Sequence, residues 1–161
     1  LGGSGDNLVL GSGAKSSFLY PAFEASLSSD QTLSDAVETK VQFDNEIFDS
    51  NNCYDATTNY RFLPTVAGKY FVYLKINFVG SGGINDTFTK IKKNGVNQII
   101  DLNNDSALVQ QAQITMGVID MNGTSDYIEG FAVNDVAVGS SCSLDADNRK
   151  TTFGAYRIIG A

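Results

Sequence analysis

The 161-residue chain contains no histidine. That absence removes His-based triads, the imidazole general base and every His-ligated metal site together. Cysteine is nearly absent too: Cys53 and Cys142 are too few for a disulfide framework and show no CxxC spacing. Both sit in polar, turn-like surroundings, and the sequence leaves open whether they pair or stay free. Positive charge is short, with 11 Lys and Arg against 18 Asp and Glu, a net charge of −7. An acidic chain lacks the long-range attraction that drives binding to phosphate backbones. Nucleic acid and anionic membrane are therefore not expected partners. No apolar run approaches the ~20 residues a membrane-spanning helix needs. There is no GxSxG, phosphate-binding loop or dinucleotide fingerprint, and no carboxylate pair identifies itself as catalytic. The expectation is a non-enzyme with no catalytic residues and no organic cofactor.

What is present suits one folded domain. Hydrophobic residues make up 42% and charged residues 18%, a balance that supports a core rather than a disordered tail. Residues 1–22 differ from the rest. Gly2, Gly3, Gly5, Gly11 and Gly13 and several serines surround one apolar run, Leu8-Val9-Leu10. This stretch reads as a flexible lead-in, a linker or the end of a stalk. Leu1 has no basic segment leading into an apolar one, so the chain is expected to be processed or part of something longer. The domain proper is expected over 23–161.

From Pro21 onward the pattern has period two, broken by Gly, Asn, Asp and Ser clusters. Strands are expected at 23–27, 40–43, 61–63, 70–79, 88–93, 98–102, 107–116, 127–133 and 151–159, which are rich in β-branched and aromatic residues. Their spacing points to an all-β sandwich or barrel. Asn94-Gly95 is the strongest turn signal, because both central residues of a type I′ turn need positive φ. Along 70–79, Tyr70, Val72, Leu74, Ile76 and Phe78 make one apolar face. Phe71 and Tyr73 make the opposite face aromatic as well, before Lys75 and Asn77. A strand with one wet face alternates apolar with polar, so here both faces are expected to be covered. The last strand, with Phe153 and Tyr156, is also apolar on both faces. At a sheet edge it would invite aggregation, so a central position is expected.

The stretch from Phe43 to Val72 is the most specific. Phe43 is followed after five residues by Asp49, after four more by Tyr54, after seven by Phe62, and after five by Gly68-Lys69-Tyr70-Phe71-Val72. Phe153-Gly154-Ala155-Tyr156 lies near the end. This pattern resembles the signature of the C1q-like domain of the C1q/TNF jelly-roll superfamily. Two departures are an extra residue between Tyr54 and Phe62, and Val72 in place of an aromatic. The resemblance covers roughly 22–161 and implies a ten-stranded jelly roll assembled as a homotrimer. Phe43, Tyr54, Phe62, Gly68, Tyr70 and Phe153 are then core signature positions. The aromatics are large enough to span the ~10 Å between packed sheets, and Gly68 permits a tight turn before a long strand. Phe71, Tyr73 and Tyr156 are candidates for the subunit interface.

Two charged groups carry further expectations. Asp135, Asp145 and Asp147 fall in a polar loop expected over 134–150. Some C1q-like trimers carry calcium near their axis, and hard cations favour clustered carboxylates, so these three are the metal candidates. Lys90, Lys92 and Lys93 flank the Asn94-Gly95 turn and read as edge protection. The functional expectation is a trimeric binding head of a viral, particularly bacteriophage, fibre, appendage or decoration protein that contacts a host receptor or surface glycan. It rests on the acidic Asn/Asp/Thr-rich composition, the missing Gly-X-Y repeat and the Gly/Ser lead-in. The place of action is then the virion surface or another extracellular site. The alternatives are a secreted complement-like recognition domain and a purely structural trimerisation or capsid-cementing module.

Overall fold

The computed structural model describes residues 21–159, the side chains of 105–107 and 159 excepted. The lead-in assigned to 1–22 lies, but for its last two residues, outside the described part. Eleven strands and no helix are found there: β1 Ala22–Ser26, β2 Gln31–Leu33, β3 Thr39–Lys40, β4 Asn45–Asp49, β5 Tyr54–Asp55, β6 Arg61–Phe62, β7 Gly68–Lys93, β8 Val96–Met121, β9 Ile128–Val136, β10 Cys142–Leu144 and β11 Thr152–Ile159.

One long hairpin organises the molecule. β7 and β8 pair on both sides of a break at 80–83 and are joined at Asn94 (φ 52°) and Gly95 (φ 79°), the positive φ pair of a type I′ turn. Asn94 also fastens the turn to its surroundings. Its side chain donates to Asp126 at 2.8 Å and accepts from the Tyr127 amide at 3.0 Å. Register shifts between Val79 and Ile84, and there the hairpin passes from one layer to the other. Before the shift β7 pairs with β11, which pairs with β1, which pairs with β4. After it, β7 pairs with β9, and β3 and β6 add to β9, with β5 on β6. β10 pairs with β7 at Phe78–Gly80 and carries β2.

The two layers meet face to face through large side chains. Tyr70, Val72, Leu74, Ile76 and Phe78 of β7 are completely buried. Phe23 of the first layer stacks on Phe62 of the second with ring centres 4.5 Å apart, and on Tyr54 at 4.6 Å. Phe153 closes the group edge-on to Phe23 at 5.1 Å and stacks on Phe43 at 5.6 Å. The Tyr54 hydroxyl donates to the Phe43 carbonyl at 3.0 Å, and the Tyr70 hydroxyl to Val66 at 2.7 Å. A buried Tyr needs such a partner for its polar end. Gly68 is also buried and has φ 153°.

Several expectations change. The strands expected at 70–79 and 88–93 are one bent strand, as are those at 98–102 and 107–116. Gly80, Gly82 and Gly83 let the backbone bend there, where the pairing with β8 is interrupted. The polar loop expected over 134–150 is partly strand, since β9 runs to Val136 and β10 interrupts the rest. The short strands β2, β4, β5 and β10 gave no apolar alternation to read. The lysines do not guard an edge: β7 is flanked by β8 and β9. Lys90 and Lys92 instead share Glu38, and Lys93 pairs with Asp126 at 2.8 Å. β11 lies between β1 and β7, so the hydrophobic last strand is central.

Candidate oligomer interface

The outer face of the first layer carries the nominated aromatics. Phe71, Tyr73 and Tyr156 form one group, with Phe71 5.5 Å from Tyr156 and 6.5 Å from Tyr73 between ring centres. Adjacent strands place them together, because Tyr156 is directly opposite Phe71 and Gly154 is opposite Tyr73. Phe71 and Tyr73 are half-buried, and Tyr156 is 37% exposed. The Tyr73 hydroxyl donates to the Glu24 carboxylate on β1. Burial pushes this phenol well above its ordinary range, and the Glu24 hydrogen bond adds to that.

β8 extends this face. Val118, Met116 and Ile114 are in register with Phe71, Tyr73 and Lys75, so their side chains share the outer surface. All three are more than half exposed. Between them Gln113 and Thr115 turn inward and are buried, while Gly117 lies against Ile99, whose Cγ1 would be 3.5 Å from a Cβ there. Over 113–118 the strand is thus inverted relative to a soluble sandwich, with Ile114, Met116 and Val118 outside and Gln113 and Thr115 inside, before Ile119 and Met121 return to the core. Register decides this, since a one-residue slip would exchange the two faces, and the β7 pairing fixes the register over the whole hairpin. Further along, Ile100 and Leu102 are again exposed. Among the described residues β8 pairs with β7 alone, so it also presents a long free edge.

Sequence reasoning found the aromatic half of this face and missed Ile114, Met116 and Val118. Their alternation was readable. Alternation alone, however, assigns an apolar set to the core, and only pairing with β7 sends it outward.

The acidic candidates do not converge. Asp135 is exposed on β9, in register with Asp86. Asp145 accepts from the Asp147 amide at 2.9 Å, from Lys150 at 2.9 Å and from Asn77 at 3.0 Å. The Asp147 amide first, and then the Lys150 ammonium, hold the Asp145 carboxyl below its ordinary range. Asp147 is held well below it by the Arg149 guanidinium, which it grips with both oxygens at 3.0 and 2.8 Å. Among the described residues no three acidic or cysteine side chains are gathered. Within the subunit Asp145 and Asp147 are thus engaged by cations and amides of their own loop.

At the end of the same face lies an open groove of about 500 Å³ lined by Lys75, Asn77, Gln110, Ala112, Ile114 and Arg149. Its cations are engaged. Lys75 donates to the Arg149 carbonyl, and Arg149 serves Asp147. The cysteines are both buried free thiols. Cys53 is tied to Leu63, ahead of β7, by a backbone bond of 2.8 Å, whereas Cys142 is opposite Gly80.

Comparison with known proteins places this architecture. No family model matches the chain, and no curated protein matches its sequence. Solved structures do. The globular domain of zebrafish complement 1qA superposes with a TM-score of 0.59 at 15% identity, covering 88% of this chain and 99% of that one. Murine APRIL at pH 5.0 gives a TM-score of 0.64 at 10% identity, covering 85% and 98%. Murine APRIL at pH 8.5 gives 0.59 at 12% identity with the same coverage, 85% and 98%. Superposition over 85–88% of this chain at such low identity is a likeness of fold, and the chain has a C1q/TNF-like jelly-roll fold.

Proposed function

We propose that this domain is a non-enzymatic recognition module that works as a homotrimer. The observation that carries the reading is the inverted β8 strand beside the Phe71, Tyr73 and Tyr156 group. Exposed apolar patches of this extent on one face are a mark of protein contact. Obligate interfaces commonly bury 2,000 Å² or more and are apolar. A second copy suits the surface because the face and the free edge of β8 adjoin, so one subunit's edge can cover the next subunit's face. Repetition of that heterologous contact closes a ring, and the C1q-like resemblance implies a ring of three.

Three sites held rigidly together gain ~10²–10⁴ in avidity over one, which fits weak recognition of a repeated surface. The finer reading is a head of a viral, particularly phage, fibre or decoration protein that contacts a host receptor or glycan, at the virion surface or outside the cell. The acidic Asn/Asp/Thr-rich composition supports it. Likeness to a complement globular domain favours a second reading, a secreted recognition domain.

Light scattering on the purified protein at micromolar concentration tests the assembly. About three times the 17.2 kDa chain mass is expected; a monomer overturns the reading. Binding of the trimer to glycan arrays and host cells tests recognition. Tight capsid association with no such binding would favour a structural module instead.

A further inference from the structure

The interior of the sandwich is not uniformly apolar. At the end away from the Phe23 cluster, β7 turns Thr87 and Thr89 inward, and both are buried. Thr87 is directly opposite Asn134 of β9 on one side and Asn103 of β8 on the other. Thr89 is opposite Asp101. From the facing layer Gln113 and Thr115 enter, also buried. The hydroxyls of Thr89 and Thr115 bond to each other across the interior. The Gln113 amide nitrogen donates to the Thr87 carbonyl at 3.4 Å and to the Asp101 carboxylate at 3.3 Å.

Four buried atoms of this group have no partner among the described residues: Thr87 Oγ1, Gln113 Oε1, and both Oδ1 and Nδ2 of Asn134. Asn134 is completely buried, Thr87 is 1% exposed and Gln113 is 4% exposed. Neighbours on the same face of paired strands have side chains in reach of each other, and Gln113 is bonded to the same residue. The four atoms therefore belong to one neighbourhood. Buried polar atoms are almost always hydrogen-bonded, and leaving one dry costs more than a normal bond returns. Four such atoms on three neighbouring residues therefore call for a partner.

The chemistry of the four atoms selects the partner. Gln113 already uses its nitrogen on two acceptors, so its oxygen accepts. Asn134 presents an acceptor and a donor, and Thr87 can serve as either. A hard cation such as Ca²⁺ or Mg²⁺, which takes oxygen ligands, would leave the Asn134 N–H facing a positive charge. Water donates two bonds and accepts two, and buried waters typically make about three bonds to groups of this kind. We propose that Thr87, Asn134 and Gln113 bind ordered water inside the sandwich, bridging the two layers.

Thr87→Val separates this from a dry interior, because valine copies the shape of threonine and removes only the hydroxyl. If Thr87 Oγ1 holds water, the variant loses a bond and its unfolding equilibrium constant rises about two- to twelvefold in urea titration. If the site is dry, removing an unpaired hydroxyl leaves stability unchanged or raises it, and the proposal is overturned. A crystal structure of the unaltered protein supplies the second readout. The expected result is a density peak about 2.7–3.2 Å from Asn134 Nδ2 and Gln113 Oε1. Side chains rotated to bond one another, or a peak ringed by oxygens at about 2.4 Å as a cation would be, would each overturn it.

Discussion

The ring of Tyr73 lies flat across Gly154 on the neighbouring strand: a Cβ added at 154 would meet Tyr73 Cε1 at 2.8 Å, with the phenol end closer still. The absence of a side chain at 154 lets the ring settle onto the sheet and reach Glu24 with its hydroxyl. Gly154→Ala should therefore push the ring off the sheet and cost about 1–3 kcal/mol, the range for overpacking. In a Tyr73→Ala background the same change should cost little. Urea denaturation of the four proteins measures the coupling, and equal costs in both backgrounds would show that the two residues do not interact.

The outward apolar set of β8 makes a sharper demand. Met116→Glu and Val118→Asp place charge where a partner's apolar surface is expected, while leaving the core untouched. Each should give a monomer by sedimentation with an unchanged β-type circular dichroism spectrum. A variant that remains trimeric would place the interface elsewhere.

Phe62 is fully buried and contacts both Phe23 and Tyr70, at 4.5 and 5.8 Å between ring centres. Truncation to alanine removes the ring that joins the layers and should cost about 3–5 kcal/mol. An unchanged melting temperature would refute its place in the core.

Hydrogen bonds from Lys90 and then Lys92 hold the Glu38 carboxyl below its ordinary value of 4.5. A carboxylate lowered on folding contributes stability that is complete above the unfolded value and is lost as pH falls through the folded one. Glu38→Gln should thus lower the melting temperature near neutral pH, and its difference from the unaltered protein should shrink as pH is taken below about 4. A constant difference across that window would mean that the ion pairs contribute nothing. The pair is partly exposed, so added salt should also narrow the gap.

Cys142 is 2% exposed, and burial pushes its thiol up to about 11. Reactivity follows the thiolate and its access, so Cys142 should not react with a maleimide in the folded protein, Cys53, 6% exposed, is shielded by burial, and both should react in denaturant. Rapid labelling of the native protein would contradict the burial of the thiols.

Much of the architecture was legible in the residues. The spaced aromatics Phe43, Tyr54, Phe62, Tyr70 and Phe153 are far apart in the chain, and their size and intervals carried the likeness to a jelly roll. Asn94-Gly95 fixed a turn because few residue pairs tolerate positive φ twice in succession. The local partners of Asp145 and Asp147 were not legible: neighbours two to five residues away, Asp147, Arg149 and Lys150, engage these carboxylates, and proximity in sequence does not reveal what a side chain already holds.

The amino-acid order by itself determined an all-β domain, its principal core aromatics and the doubled apolar character of the strand from Tyr70. Only the tertiary structure decided which side of β8 faces outward. Alternation marks two faces and is silent on which is inside, because that choice belongs to the pairing of Met116 with Tyr73 and Val118 with Phe71. The same pairing sends Gln113 and Thr115 into the interior. One register therefore sets both the apolar outer surface of Ile114, Met116 and Val118 and the polar side chains enclosed between the layers.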